Sequence, residues 1–170
     1  RPEPAEAAPG GSVHVTFSVE NRGEVPIFFR ADSDWQIRHV FLLADAFPEL
    51  RPVIVGGVTA FRVADELAER DIPVILTRTR TPTPDRDDSY AASFRNAAIL
   101  HQAGVRFAFG TDESADVRNL PEHVAIAVSH GLPAQTGYEA VTIRSAEILG
   151  LGDLMGSLEA GKRADILVTD

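Results

Sequence analysis

Between residues 25 and 109, short apolar runs alternate with longer amphipathic segments along the chain. Four runs, residues 25–29, 52–55, 73–76 and 105–109, are apolar at nearly every position. This pattern is typical of strands buried on both faces of a parallel sheet. The segments between them place apolar residues at helical spacing, as at Ile37, Val40, Phe41 and Ala44. The alternation predicts consecutive βα units, and therefore an α/β fold.

Polar residues and glycines delimit the predicted helices. Ser33 or Asp34 is expected to cap the helix after the first strand, and Thr59 the helix after the second. Gly104 follows the helical segment 90–103 and should end it in a left-handed conformation. The stretch 77–88 is too polar and too rich in proline for a core element, so it is interpreted either as a lid or as a surface loop.

Three further short helices are predicted after the fourth strand, over residues 121–130, 134–140 and 143–149. Thr142 or Ser145 is expected to cap the last of them. Four βα units make about half of a (β/α)8 barrel, which typically needs about 250 residues. A doubly wound sheet, which needs no further strands to close, is the structural alternative.

Composition narrows the classes of partner. The chain of 170 residues has a net charge of -9, which argues against nucleic acid or an anionic membrane as a partner. No apolar run approaches the length of a membrane span. Without cysteine there are no disulfides or thiolate ligands. We expect a soluble protein that acts on a small molecule, and its location, cytoplasmic or secreted, stays open.

A carboxylate follows directly on the fourth strand, which ends in Gly-Thr-Asp at residues 110–112. The carboxyl ends of parallel strands are where ligands bind in such folds. Asp112 is therefore the first candidate for a site residue, and a loop carboxylate that binds backbone amides is the alternative. In the same loop, Asp116, Arg118 and Asn119 are candidate substrate contacts, and Glu113 is a second candidate carboxylate.

Two motifs near the C-terminus are more specific than the strand pattern. The helical segment TIRSAEILG at residues 142–150 is followed by GSLEAGKRADILV at residues 156–168. Together they resemble the amidohydrolase superfamily, in particular its imidazolonepropionase and prolidase-like branch. There a T-x-N-x-A-x-x-L-G helix leads into G-S-L-x-x-G-K-x-A-D-L-V.

The resemblance covers about residues 23–170 and implies the C-terminal half of a TIM-type (β/α)8 barrel over residues 23–155. Residues 156–170 would begin the return of the chain into a small β-sandwich, with a last strand at 164–168. Residues 1–22 are interpreted as a flexible lead-in followed by an edge strand at 13–19. The remaining half of the barrel, in the same or another chain, is an implied partner.

The resemblance also implies hydrolysis of C–N bonds with a divalent, zinc-like metal. Family members place single histidines after the fifth and sixth strands and an aspartate after the eighth. Asp112 matches that aspartate, and its implied roles are general base and metal ligand. At the two histidine positions this chain has Arg30 and Gly56-Gly57 instead. Arginine does not bind metals, so Arg30 is expected either to form a structural ion pair or to bind a substrate carboxylate.

Two functions therefore stand side by side. The first is a C–N hydrolase acting on a cyclic amide or an aminoacyl or dipeptide-like compound, with Asp112 as its base. The second is a metal-free descendant with a ligand-binding or structural role. The five histidines do not decide between them, because none follows a strand. We expect His14 in the edge strand, and His39, His101, His123 and His130 on helix surfaces or in the core.

Overall fold

The computed structural model describes residues 25–81 and 88–166. Within these residues, strands and helices alternate in the order β1 Ile27–Ala31, α1 Asp34–Ala46, β2 Pro52–Gly56, α2 Ala64–Glu69, β3 Val74–Leu76, α3 Ala92–Gln102, β4 Phe107–Phe109, α4 Leu120–Ser129, α5 Ala134–Ala140 and α6 Ile143–Ile148. Short 3-10 turns, Ala60–Val63 and Ser114–Asn119, lead into α2 and α4. All four apolar runs contain a strand, as the sequence predicts. None of the described helices is long and apolar enough to span a membrane.

The four strands form one parallel sheet in the order β1-β2-β3-β4. Ile54 of β2 lies opposite Val74 of β3, which in turn lies opposite Phe107 of β4. Each described strand is thus hydrogen-bonded to its neighbours in sequence. A doubly wound sheet reverses its strand order at a switch point, and these four strands do not. The order is that of consecutive strands of a barrel.

The main core lies between one face of the sheet and the helices. Its largest side chains that are almost completely buried include Ile37, Ile54, Leu67, Val74, Leu76, Leu100 and Phe107. Burial of each such side chain contributes about 1.5–3 kcal/mol. On the other face, Val53 and Ala108 pack against Ile148 of α6. Phe28, which is in register with Val53, is 44% exposed, so this face of β1 is only partly covered.

The start of α1 is stabilised by two side chains from different parts of the chain. Ser33 is its N-cap residue, and the Gln36 side chain accepts hydrogen bonds from the backbone N–H groups of Asp32 and Ser33 at 2.8 and 3.1 Å. The Thr59 hydroxyl accepts a hydrogen bond from the Asp34 N–H at 2.7 Å. The prediction that Thr59 caps the following helix is therefore wrong. Its oxygen is engaged by α1, and a 3-10 turn comes before α2.

Two further helix ends were predicted. Gly104 has a φ of +80°, and the N–H of Val105 donates to the Leu100 carbonyl at 2.9 Å, so the left-handed end of α3 is confirmed. Thr142 is the N-cap residue of α6, one of the two predicted candidates, but neither Thr142 nor Ser145 caps this helix with its side chain. Their hydroxyls donate backwards instead, to the carbonyls of Tyr138 and Ala140 at 2.7 and 2.8 Å.

The segment after α6 contains the turn that the glycine pattern predicts. Gly156 and Gly161 have φ values of +98° and +94°, and a Cβ at Gly156 would lie 2.8 Å from the Cβ of Ala146. Residues 164–166 have no regular secondary structure, and 167–170 lie outside the described residues. The last strand and its β-sandwich stay a prediction. The predicted lead-in and edge strand at 1–22 and residues 82–87 of the polar stretch 77–88 also lie outside the described residues.

Candidate active site at the strand ends

The carboxyl ends of the four strands bring charged residues from distant parts of the chain to one edge of the sheet. Arg30 lies near the end of β1, and Gly56 ends β2. Arg78 comes two residues after β3, and Asp112 three residues after β4. Because the strands are parallel, these positions share one edge. Side chains separated by up to 82 residues therefore come into contact.

Asp112 is bound by two arginines through a single oxygen. Its Oδ2 accepts a hydrogen bond from Arg30 Nη2 at 2.6 Å and another from Arg78 Nε at 2.7 Å. The Asp112 side chain is 14% exposed, whereas those of Arg30 and Arg78 are 56% and 47% exposed. The hydrogen bond from Arg30 is the largest cause that lowers the pKa of Asp112, and it also raises the pKa of Arg30. Asp112 is therefore ionised at neutral pH.

Gly56 makes room for a second carboxylate beside this ion pair. A Cβ at Gly56 would lie 2.3 Å from Asp32 Oδ1, and Gly56 has a φ of +113°, which favours glycine. Among the described residues, the buried Asp32 Oδ1 has no hydrogen-bond partner. The Asp32 carboxyl group thus occupies the space that a side chain at position 56 would need. Any larger residue at position 56 would displace it.

A second polar cluster lies in the segment after β4. Asp116 Oδ1 accepts a hydrogen bond from the Asn119 amide at 2.7 Å, which is the largest cause of its lowered pKa. His123 of α4 is 1% exposed, and its Nε2 lies 3.1 Å from Asp116 Oδ2. Neither ring nitrogen of His123 has a hydrogen-bond partner among the described residues, so this is a close polar contact rather than a hydrogen bond. Arg80 Nη1 lies 3.8 Å from Asp116 Oδ1 and extends the cluster.

The two clusters line one open pocket of about 510 Å³. Its lining consists of Thr77, Arg78, Arg80, Thr81, Asp112, Glu113, Ala115, Asp116, Asn119 and His123. A second cavity of about 470 Å³ lies at the amino ends of the strands. Its lining includes Arg70 and Arg106, which are already paired with Asp45 and Asp71 at 3.2 and 2.9 Å. We therefore place the candidate site at the carboxyl ends of the strands.

The predicted site residues separate into two groups. Arg30 and Asp112 are in direct contact, and Asn119 lines the pocket. Arg118 is exposed and lies outside the pocket lining, so the structure does not bring it to Asp112. Arg78 was missed because it lies in the polar stretch interpreted as a lid or loop. Its position two residues past a strand end is the signal that would have found it.

The donor set does not fit a divalent metal. Such sites usually need three or four protein ligands, and residues 25–81 and 88–166 contain no group of three histidine, aspartate or glutamate side chains that could hold one. Asp112 Oδ2 faces two guanidinium groups, which repel a cation. Gly56 and Gly57 offer no side-chain donor. The described residues therefore do not provide the zinc-like site that the resemblance implies.

The comparisons with known proteins settle the family. The profile described as "Amidohydrolase family" matches residues 32–170. The chain belongs to the amidohydrolase family. A 5-methylthioadenosine/S-adenosylhomocysteine deaminase of Saccharophagus degradans is 28% identical to this amidohydrolase chain over 130 residues, covering 69% of the chain and 29% of that protein. An imidazolonepropionase of Geobacillus kaustophilus is 36% identical over 77 residues, covering 43% of the chain and 18% of that protein.

The solved structure of an amidohydrolase from Thermotoga maritima MSB8 superposes with a TM-score of 0.71 and 28% identity. The match covers 82% of this chain and 36% of that one. This amidohydrolase chain thus spans only about a third of the length of its relatives. Both the predicted superfamily and the predicted fold class, part of an amidohydrolase barrel, are confirmed. The similarity to adenosine-derivative deaminases was not predicted from the sequence.

Proposed function

We propose that the protein containing this chain hydrolyses a C–N bond in a small molecule. Membership of the amidohydrolase family supports the proposal, as do relatives whose names, deaminase and imidazolonepropionase, denote hydrolysis at C–N bonds. The observation that carries it is the position of Asp112, an ionised and mostly buried carboxylate past the end of β4 in the wall of a pocket. The substrate we propose is a cyclic amide or an aminoacyl or dipeptide-like compound.

In this proposal Asp112 is the general base. It would accept a proton from the attacking water, and the same group would later deliver it to the leaving nitrogen. Two guanidinium groups weaken a carboxylate as a base because they stabilise its ionised form. Because both arginines bind Oδ2, Oδ1 is the oxygen that would accept the proton, and the transfer would become more favourable if bound substrate drew one of the arginines away from Asp112.

The other residues are assigned to binding. Arg30 and Asn119 are proposed substrate contacts, Arg30 because of its contact with Asp112 and Asn119 because it lines the pocket. Arg118 has no part in this proposal, since it neither lines the pocket nor contacts Asp112, whereas Arg30 lies outside the lining but binds Asp112 directly. The proposed roles do not depend on a metal, because the described residues do not fit one. Elemental analysis of the full-length protein tests this point directly.

The experiment that tests the hydrolase proposal compares two aspartates at opposite ends of the sheet. Asp112→Asn should abolish turnover of N-acyl amino acids and cyclic amides, while the unfolding transition is retained. Asp71→Asn is the matched control, because Asp71 also pairs with an arginine, Arg106, but beside the other cavity. It should leave turnover unchanged. Full activity of Asp112→Asn would defeat the assignment.

A second candidate function is a metal-free ligand-binding or structural domain of the same family. It is favoured by Arg30 and Gly56, which occupy the two positions where the family pattern places histidines. Under this alternative, the full-length protein turns over no C–N substrate and binds no stoichiometric metal. Stoichiometric zinc, nickel or manganese would count against it.

A further inference from the structure

The two arginines at Asp112 have more hydrogen-bonding capacity than Asp112 uses. A guanidinium group carries five N–H donors, and a carboxylate pairs best with two of them in a fork. Within the described residues, Arg30 and Arg78 each spend one donor group on Asp112, and both donate to the same oxygen. The carboxylate of Asp32 also lies near Arg30 and offsets part of its charge, so what the two arginines have to spare is hydrogen-bond donors rather than net charge.

The unused donors are accessible to a ligand. Arg30 and Arg78 have half-exposed side chains, in contrast to the mostly buried Asp112. Arg78 lines the 510 Å³ pocket, and Arg30 reaches the same oxygen of Asp112 from β1. Arg30 is not itself in the pocket lining, but both guanidinium groups meet at one oxygen of Asp112, which lies in the wall of a cavity large enough for a small molecule.

An unpartnered hydroxyl marks the same wall of the pocket. Thr77 is 4% exposed and lines the pocket next to Arg78, and its Oγ1 has no hydrogen-bond partner among the described residues. A buried hydroxyl without a partner costs free energy, so it is usually satisfied by a ligand or water. Because this oxygen is itself buried, a rotation about the Cα–Cβ bond of Thr77 would be needed for the hydroxyl to donate to a carboxylate oxygen held by Arg78.

The remaining charges of the lining do not compensate the arginine pair. Arg80 is engaged by Asp116 and by Glu122, which lies 3.3 Å away. Glu113 lines the pocket but is exposed, so its repulsion of an anion is screened by solvent. The guanidinium donors that remain for a ligand anion are thus those of Arg30 and Arg78.

We propose that Arg30 and Arg78, with the hydroxyl of Thr77, bind a free carboxylate of the substrate. The inference rests on the proposed function, because it names the class of C–N compound that the site accepts: amides that carry a carboxylate. Neutral amides of the same shape are poor ligands, since they cannot form charge-assisted hydrogen bonds with both guanidinium groups.

The test measures binding by calorimetry on the full-length protein with three probes. N-acetylglycine carries the carboxylate, N-acetylglycinamide replaces it with a neutral amide, and inorganic phosphate is an anion of different shape. We expect N-acetylglycine to bind at least about tenfold more tightly than its amide. Arg78→Met should remove most of this preference, and Arg78→Lys, which keeps the charge but loses the fork, should retain only part of it.

Arg106→Met is the matched control, since Arg106 is similarly exposed and forms an Arg–Asp pair at the other end of the sheet. It should leave the preference unchanged, and thermal unfolding of each variant shows whether the variant is folded. Equal affinity for the two glycine derivatives, or tighter binding of phosphate than of N-acetylglycine, would overturn the inference. A carboxylate preference without turnover supports the inference and contradicts only the hydrolase proposal. Turnover of neutral amides without a preference for the carboxylate supports the hydrolase proposal and contradicts the inference.

Discussion

Arg30 Nη2 and Asp112 Oδ2 lie 2.6 Å apart, although 82 residues separate them in the sequence. The contact connects the first and fourth described strands across the carboxyl edge of the sheet. The predicted correspondence with the family pattern would place a metal-binding histidine at Arg30 and the metal-binding aspartate at Asp112. In this chain the two side chains form a direct ion pair.

Asp112 should tolerate the loss of one arginine better than the loss of both. Arg30→Met and Arg78→Met should each lower the free energy of unfolding only slightly, because both arginines are half exposed and Asp112 keeps the other one. The double variant leaves a mostly buried carboxylate without either arginine and should cost about 1–3 kcal/mol beyond the sum of the single losses. Urea unfolding at low salt measures all three values. Strictly additive losses would show that the two arginines stabilise Asp112 independently of each other.

Acid should remove the contribution of this site to stability. The pKa of Asp112 is lowered in the folded protein, first by the hydrogen bond from Arg30. Its contribution is therefore complete above the unfolded-state pKa of about 3.9, and it is lost as the pH falls through the lower folded-state value. The difference in unfolding free energy between wild type and Asp112→Asn should stay level from neutral pH to about pH 5 and shrink below about pH 4. A difference that grows in acid would contradict the direction of the shift.

Replacement of Gly56 by alanine should destabilise the fold more than the same replacement at Gly104, another glycine with positive φ. Gly104→Ala adds a Cβ with no atom within 4 Å, so only the left-handed backbone costs about 1–2 kcal/mol. Gly56→Ala adds a Cβ 2.3 Å from Asp32 Oδ1, and we expect roughly 1–3 kcal/mol more from the forced rearrangement. Chemical denaturation of the two variants compares these costs. Similar losses would mean that Asp32 moves away freely.

The imidazole of His123 should stabilise the fold through packing rather than through hydrogen bonds. It is almost completely buried, yet neither ring nitrogen has a hydrogen-bond partner among the described residues. His123→Leu should therefore cost less than about 1.5 kcal/mol, whereas His123→Ala leaves a cavity and should cost about 2–4 kcal/mol. Equal destabilisation by the two substitutions, measured by thermal unfolding, would show that the contact with Asp116 matters more than packing.

The sequence predicts the framework well because hydrophobic burial sets it. All four apolar runs contain a strand, and the helical face of Ile37, Val40 and Phe41 is buried. Capping was harder to predict because a hydroxyl has several possible acceptors and donors. Thr59 is in local position to cap the next helix, but it binds the start of α1 instead, and only the folded arrangement brings those two segments together.

The candidate site was predictable only as far as strand ends could be located. Asp112 and Arg30 follow apolar runs, so their convergence could be expected. Arg78 lies in a polar stretch where no periodicity distinguishes one arginine from the next. His123 lies on a helix, where its sequence position does not show that it borders the pocket. The places of Arg78 and His123 at the pocket both depend on side-chain packing between segments that are distant in sequence.

The strictly sequential order of the strands also fixes when the site can form during folding. Bringing Arg30 and Asp112 together directly would close a loop of about 82 residues, with the entropy cost of a long loop. Because β2 and β3 pair between β1 and β4, the same contact is reached through several shorter loop closures. Arg30 lies near the end of β1, and Arg78 and Asp112 follow β3 and β4, so their contact needs all three strands in register, whichever of them docks last. The shared ion pair is therefore complete only in the assembled four-stranded unit.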